Sequence, residues 1–170
     1  TQRSTSFEKN RVMSILQQSV ESGIQPDDGL GETYQEIKNQ FKRFVNDEIT
    51  PHAHEWHMND DYIPLEIIEK MSELGVFGLT IPEEYGGLGL EKKAMCIVSE
   101  ELSRGWVGVG SLGTRSEIAA ELILIGGTEE QKQKYLSKIS SGEIFPTAVF
   151  SEPDIGSDLA HLKTRGNAKG

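Results

Sequence analysis

The residue types most able to do chemistry crowd into FSEPDIGSD, Phe150 to Asp158, which holds three carboxylates, two serines, a proline and a glycine. A calcium loop would need acidic ligands at alternating positions, a central glycine and a closing glutamate, and that order is absent. A phosphate site needs outward-facing backbone N–H groups and a hydroxyl donor. Gly156 and Ser157 can supply both, Pro153 stiffens the approach, and Asp158 can hydrogen-bond the turn from within. The residues leave two readings open: an anion-binding turn, or a plain structural one.

Four other features compete for attention. HAHEWH places His52, His54 and His57 within six residues. Their spacing completes no zinc pattern with a cysteine, and on a helix only His54 and His57 share a face. A solvated helix-to-loop junction is the favoured reading. PEEYGGLGL, Pro82 to Leu90, is glycine-rich but fits neither GxGxxG nor GxxxxGK[ST], so it reads as a loop packed against something. Arg115 lies within the apolar stretch GSLGTRSEIAAELIL. A guanidinium there must be paired, with Glu121 or Glu101 as partner, or must point into a pocket to hold a carboxylate. Cys96, between Met95 and Ile97, is expected to pack in the core.

The elements that must position these residues are mostly helices. A first helix covers TSFEKNRVMSILQQSVESG, opened by a Thr5–Glu8 capping box and stopped at Gly23. A second opens with a Thr33–Glu36 box and is ended or bent by Pro51. A third runs from Pro64 to Gly75, a fourth from Glu91 to Arg104. A fifth, Val109 to Ile125, is apolar enough to be buried. A sixth starts with a Thr128–Gln131 box and ends near Gly142. IFPTAVF then reads as a strand and HLKTRGNAKG as a second one, so a β region begins as the sequence closes.

Composition narrows the partners. The net charge of −10 over 170 residues disfavours nucleic acid or an anionic membrane as main partner. No apolar run approaches the roughly 20 residues that span a bilayer. One cysteine allows no internal disulfide framework. The N-terminus has no apolar core of a signal peptide and makes a poor transit peptide.

SEPDIGSD at 151–158 resembles the flavin-site motif of the acyl-CoA dehydrogenases, [ST]-E-P-x-x-G-[ST]-D. IPEEYGGLGL at 81–90 resembles the loop between that family's early helices, and GGTEEQKQKYLSKISSGE at 126–143 is similar to the segment before its middle domain. The resemblance covers about residues 30 to 170. It implies a mainly α chain: a helical N-terminal domain over 31–143, then the first strands of a β-barrel-like middle domain over 144–170. Residues 1–30 would be a helical extension, and the family's C-terminal helical domain, which carries the catalytic base, would be absent. The implied cofactor is FAD and the implied substrate an acyl-CoA, with an electron-transferring flavoprotein as acceptor. A homodimer or homotetramer in bacterial cytoplasm or mitochondrial matrix would fit the family.

Carried over position by position, Ala148, Val149, Phe150 and Ser151 match the segment that contacts the isoalloxazine ring, with Ser151 as hydroxyl donor. Gly156 and Ser157 match the turn that meets the FAD pyrophosphate, and Ser157 also the CoA portion of the substrate. Val149, Phe150 and Ile155 are bulkier or differently shaped than the family pattern. SLGTRSEIAAELI, 111–123, is similar to the methylsuccinyl-CoA dehydrogenases within the family, which casts Arg115 as the group that holds a distal carboxylate. Two alternatives share these residues: a flavin oxidase or monooxygenase of the same fold, or a non-catalytic assembly partner.

Overall fold

The computed structural model describes residues 6–22, 29–147 and 149–167. The chain divides into two compact units, residues 1–35 and 36–170. In the first, α1 spans Ser6–Ser22. It carries Val12, Ile15, Leu16 and Val20, all exposed. The Thr5–Glu8 box and the Gly23 stop fall outside the described residues.

The remaining helices are α2 (Glu32–Phe44), α3 (Thr50–Met58), α4 (Leu65–Glu73), α5 (Lys92–Gly105), α6 (Val107–Gly126) and α7 (Glu129–Ser140). α2 starts one residue ahead of Thr33, and its first turn closes through Gln35 N–H on Gly31 O at 3.0 Å. The predicted Thr33–Glu36 box is therefore not its start. Pro51 does not end the helix either. A π turn at Val45–Ile49 precedes it, closed by Thr50 N–H on Val45 O, and helix continues to Met58. Proline has no N–H to donate and its ring crowds the carbonyl four residues back; a widened turn relieves both.

That π turn points Val45 and Ile49 inward, and both are fully buried. They join Phe41, Met71, Phe77, Val98, Leu102 and Val109 in the main core. Arg104 ties the same region together at its rim. Its Nε donates to buried Glu101 at 2.8 Å and its Nη2 to Asn46 Oδ1 at 2.9 Å.

α5 and α6 run antiparallel and are joined by a single extended residue, Trp106. The buried face of α6 is made of Val109, Gly110, Gly113, Ser116 and Ala120. A Cβ on Gly110 would lie 2.0 Å from Ser103 Oγ, and one on Gly113 would lie 2.8 Å from Met95 Cε. Small residues thus let the two helices approach closely. The other face leaves Val107, Ile118, Leu122 and Ile125 exposed, so α6 is half-buried rather than buried throughout. The same periodicity turns Cys96 outward while Met95 and Ile97 face in, against the expectation from its apolar neighbours.

The stretch VFGLTIPEEYGGLGL, residues 76–90, expected from its breakers to be an irregular loop, is one, with short 3-10 turns at Val76–Gly78 and Glu83–Tyr85. It doubles back on itself through Leu88 N–H on Gly78 O and Leu90 N–H on Leu79 O, both 2.8 Å. It docks on α7: Ile81 and Tyr85 pack with Leu136 and Ile139, and Ser140 Oγ donates to Gly86 O at 2.7 Å. The predicted Thr128–Gln131 box forms at the head of α7, with both reciprocal bonds present.

Neither predicted strand forms among the described residues. Residues 144–147, 149–151 and 162–167 have no ladder, and a lone bridge joins Glu152 and Ile155. β-branched and aromatic residues favour extended backbone, but a strand exists only beside a partner.

Gly105, at the end of α5, faces the π turn: a Cβ there would sit 2.7 Å from Val45 Cγ1 and 3.0 Å from Ile49 Cγ2. Gly105→Ala is expected to cost about 1–3 kcal/mol through overpacking. Gly126→Ala, where nothing lies within 4 Å, is the matched control and should leave the melting temperature unchanged or raised.

Candidate functional site

Two places gather the residues singled out by sequence. The first is the turn after α7. The chain leaves that helix pinned to the core, because Ile144 N–H donates to Lys138 O at 3.1 Å and Phe145 meets Phe77 edge-on at 5.0 Å between centroids. It then runs outward through Val149, Phe150 and Ser151, all exposed. Ala148 lies outside the described residues.

At Glu152 the chain turns sharply. Glu152 N–H donates to Ile155 O at 2.8 Å and Ile155 N–H returns to Glu152 O at 3.2 Å. Pro153 and Asp154 form the tip, where proline's fixed φ favours the first turn position. Gly156 and Ser157 follow, exposed, then a 3-10 turn at Leu159–His161. Asp158 supports that turn, with its Oδ2 2.7 Å from His161 Nδ1.

The Glu152 carboxylate does the closing. It accepts from Lys163 N–H at 3.1 and 3.0 Å and from Thr164 N–H at 2.7 Å, and it also accepts a hydrogen bond from the Thr164 hydroxyl. These donors, the hydroxyl first and then the two amides, hold the Glu152 carboxyl below the ordinary glutamate range. The sequence offers Asp158 as a support for the turn but gives no sign of the second arm, eleven and twelve residues beyond Glu152. A cavity of about 330 Å³ opens between Glu152, Pro153, Asp154, Lys163 and Thr164.

The second place is a cleft of about 560 Å³ between the start of α4 and the first half of α6. Its walls include Tyr62, Ile63, Ile68, Trp106, Leu112 and Arg115, with Asp61 at the edge. Trp106 stacks at a tilt on Trp56, 5.7 Å between centroids, and Trp56 on His52 at 5.4 Å. The three histidines of α3 are all exposed.

Arg115 is exposed, not buried in apolar surroundings. Neither expected carboxylate pairs with it: Glu101 is held by Arg104 and Glu121 by Lys92 at 3.0 Å. Half-burial raises the Glu117 carboxyl pKa despite the nearby Lys92, and Glu121 raises it further. Arg115 and the turn line separate cavities with no residue in common. The sequence missed Trp106 as a cleft wall. It also missed the Tyr85 hydroxyl, which donates to Glu129 at 3.1 Å and locks the 79–90 loop onto α7. Burial first, then that carboxylate, raises the tyrosine's pKa.

A helical domain of this order has known counterparts. Residues 31–143 match the family model described as acyl-CoA dehydrogenase, N-terminal domain, and the chain belongs to that family. Within it, the chain is 64% identical over 137 residues to (2S)-methylsuccinyl-CoA dehydrogenase of Cereibacter sphaeroides, covering 81% of this chain and 25% of that protein. It is 37% identical over 139 residues to mitochondrial isovaleryl-CoA dehydrogenase of Solanum tuberosum, covering 80% and 34%. Among solved structures it superposes on glutaryl-CoA dehydrogenase with glutaryl-CoA (TM-score 0.72, 38% identity, 80% of this chain and 35% of that one). It also superposes on glutaryl-CoA dehydrogenase of Mycobacterium smegmatis with FADH2 (TM-score 0.75, 26% identity, 83% and 36%). A chain in the structure of the electron transferring flavoprotein of Acidaminococcus fermentans matches too (TM-score 0.77, 34% identity, 85% and 38%). The chain spans a quarter to a third of the two curated relatives' lengths. These relatives confirm the mainly helical fold class. No described helix is long and apolar enough to cross a membrane.

A carboxyl whose pKa is lowered by its partners favours the closed form above the ordinary glutamate range and loses that contribution as pH falls through the lowered value. In a carbon-detected NMR titration the Glu152 carboxyl signal should therefore move at lower pH than the exposed glutamates. The Lys163 and Thr164 amide signals should shift in the same step.

Proposed function

We propose that this chain is the N-terminal portion of an FAD-dependent acyl-CoA dehydrogenase whose substrate is a short acyl-CoA with a second carboxylate, methylsuccinyl-like. The observation that carries this reading is the 64% identity to (2S)-methylsuccinyl-CoA dehydrogenase, sustained over 137 residues. In this reading residues 31–143 are the helical domain, 1–30 an extension, and 144–170 the opening of a middle domain.

The residues present fit the cofactor. Ser151 and Ser157 are exposed hydroxyls, and the N–H groups of Gly156 and Ser157 donate to no described residue. Nothing lies within 4 Å of where a Gly156 Cβ would stand, so a phosphate can approach the backbone there. Bound FAD would supply the acceptor for the β-hydride while the α-proton goes to a base, a role assigned to no residue of this chain.

The roles proposed for the chain's own groups are electrostatic. Ser151 donates its hydroxyl to the ring edge, beside the backbone of Ala148, Val149 and Phe150. Gly156 and Ser157 present N–H and O–H donors to the pyrophosphate, and Ser157 to the CoA portion. Such fixed donors act without reorganising during the reaction. Arg115, charged and without an ion-pair partner among the described residues, holds the distal carboxylate of the substrate. An electron-transferring flavoprotein as acceptor, a dimeric or tetrameric assembly, and a bacterial cytoplasmic or mitochondrial location complete the proposal.

The full-length protein should oxidise methylsuccinyl-CoA in preference to butyryl-CoA. Arg115→Ala should lower kcat/KM for methylsuccinyl-CoA about 10- to 100-fold, the loss expected for one charge-assisted contact. The effect on butyryl-CoA should stay under about 3-fold by the same reasoning. Equal losses on the two substrates would remove Arg115 from substrate recognition.

A further inference from the structure

Glu152 stands at a junction. Its backbone closes the Pro153–Asp154 turn, while its side chain reaches across to the main chain of Lys163 and Thr164. Between those two closures lie Gly156 and Ser157. Among the described residues, no other hydrogen bond or ion pair joins residues 149–158 to residues 163–167. Without that tie, the excursion from 153 to 162 is constrained only by its local bonds, including the Asp158–His161 pair. A flexible segment must lose its freedom when it binds, and a segment already closed has less to lose.

We infer that Glu152 is a positioning residue for the cofactor. Its carboxylate grips the Lys163 and Thr164 main chain and so holds the Gly156–Ser157 donors ready for the FAD pyrophosphate. This rests on the flavin reading above and adds to it an anchor that touches no cofactor atom itself.

The chemistry of the grip is specific to a carboxylate. Lys163 N–H lies between the two oxygens, and Thr164 supplies two donors to one of them. Every partner is a donor, so the site needs an acceptor at both positions. A glutamine would turn an NH2 group toward an N–H. The depressed carboxyl pKa agrees with that demand. The other charged residues that line the cavity beside Glu152 are Asp154 and Lys163, and the Asp158–His161 pair lies on the adjoining turn.

The test uses the full-length protein and its Glu152→Gln, Thr164→Val and Asp154→Asn variants. FAD affinity is measured by titrating the FAD-free protein, kcat is measured at saturating FAD, and melting is followed without FAD. Glu152→Gln is expected to raise the FAD Kd about 10-fold or more, the scale of losing charge-assisted bonds. Thr164→Val, which keeps the amide donors, should raise it about 2- to 5-fold on the same scale. In both, kcat at saturating FAD should fall by less than the FAD affinity does, and the melting temperature of the FAD-free protein should stay near wild type, because an exposed turn contributes little to global stability. Asp154→Asn should match wild type throughout.

An FAD Kd within 2-fold of wild type in Glu152→Gln overturns the inference. So does an equal loss in Asp154→Asn, which would make the effect one of bulk charge. A drop in the FAD-free melting temperature that accounts for the lost affinity also overturns it, by making Glu152 a structural brace. Should the wild-type protein bind no FAD at all, the flavin reading itself fails, an outcome distinct from the other three.

Discussion

The close passage of α6 along α5 is the constraint from which the rest of the helical domain follows. One residue, Trp106, joins the two helices, so α6 must fold straight back on α5. Connections this short between helices force antiparallel neighbours. Gly110, Gly113, Ser116 and Ala120 leave the room that such a reversal requires. Once α6 lies there, its 20 residues, about 30 Å of helix, carry the chain past the 79–90 loop to the head of α7. Its exposed flank presents Arg115 to the cleft, while Ala120 helps seat the loop's Ile81 and Tyr85.

Beyond α7 the chain is organised locally rather than globally. The turn at 152–164 owes little to the helical core beyond its point of departure at Ile144 and Phe145. Its shape comes from one short hairpin, one 3-10 turn and one carboxylate that meets donors from the far side. A helical domain built on close packing thus hands over to a segment organised by polar groups. That division suits a site whose proposed ligands are phosphates and a flavin edge, which need donors rather than apolar walls.

Six of the seven helices, their order and the Thr128 cap could be read from sequence because capping residues and apolar periodicity act over one or two turns, whereas α3, beyond Pro51, could not. The errors have a common origin in what periodicity omits. Pro51 signalled an end or a bend; helix instead continues past it after a π turn, and nothing local in VNDEI announces that turn. Cys96 and Arg115 sit among apolar neighbours along the chain but on the outer side of their helices, so neighbourhood in sequence misjudged their burial. The segments after Gly142 carry strand-forming residues, but pairing is a property of two strands and cannot be read from one. The turn at Glu152–Ile155 was legible as a motif, whereas its anchor at Lys163 and Thr164 was not, because backbone donors leave no trace in residue identity.

The chain contains two tryptophans, and both meet at one spot, Trp56 on Trp106, beside the Arg115 cleft. Every photon of indole emission from this sequence therefore originates at that wall. His52 rests on the other tryptophan, so an imidazole is already in contact with the pair. The molecule carries its own optical gauge of the cleft, with no background from indoles elsewhere in these 170 residues.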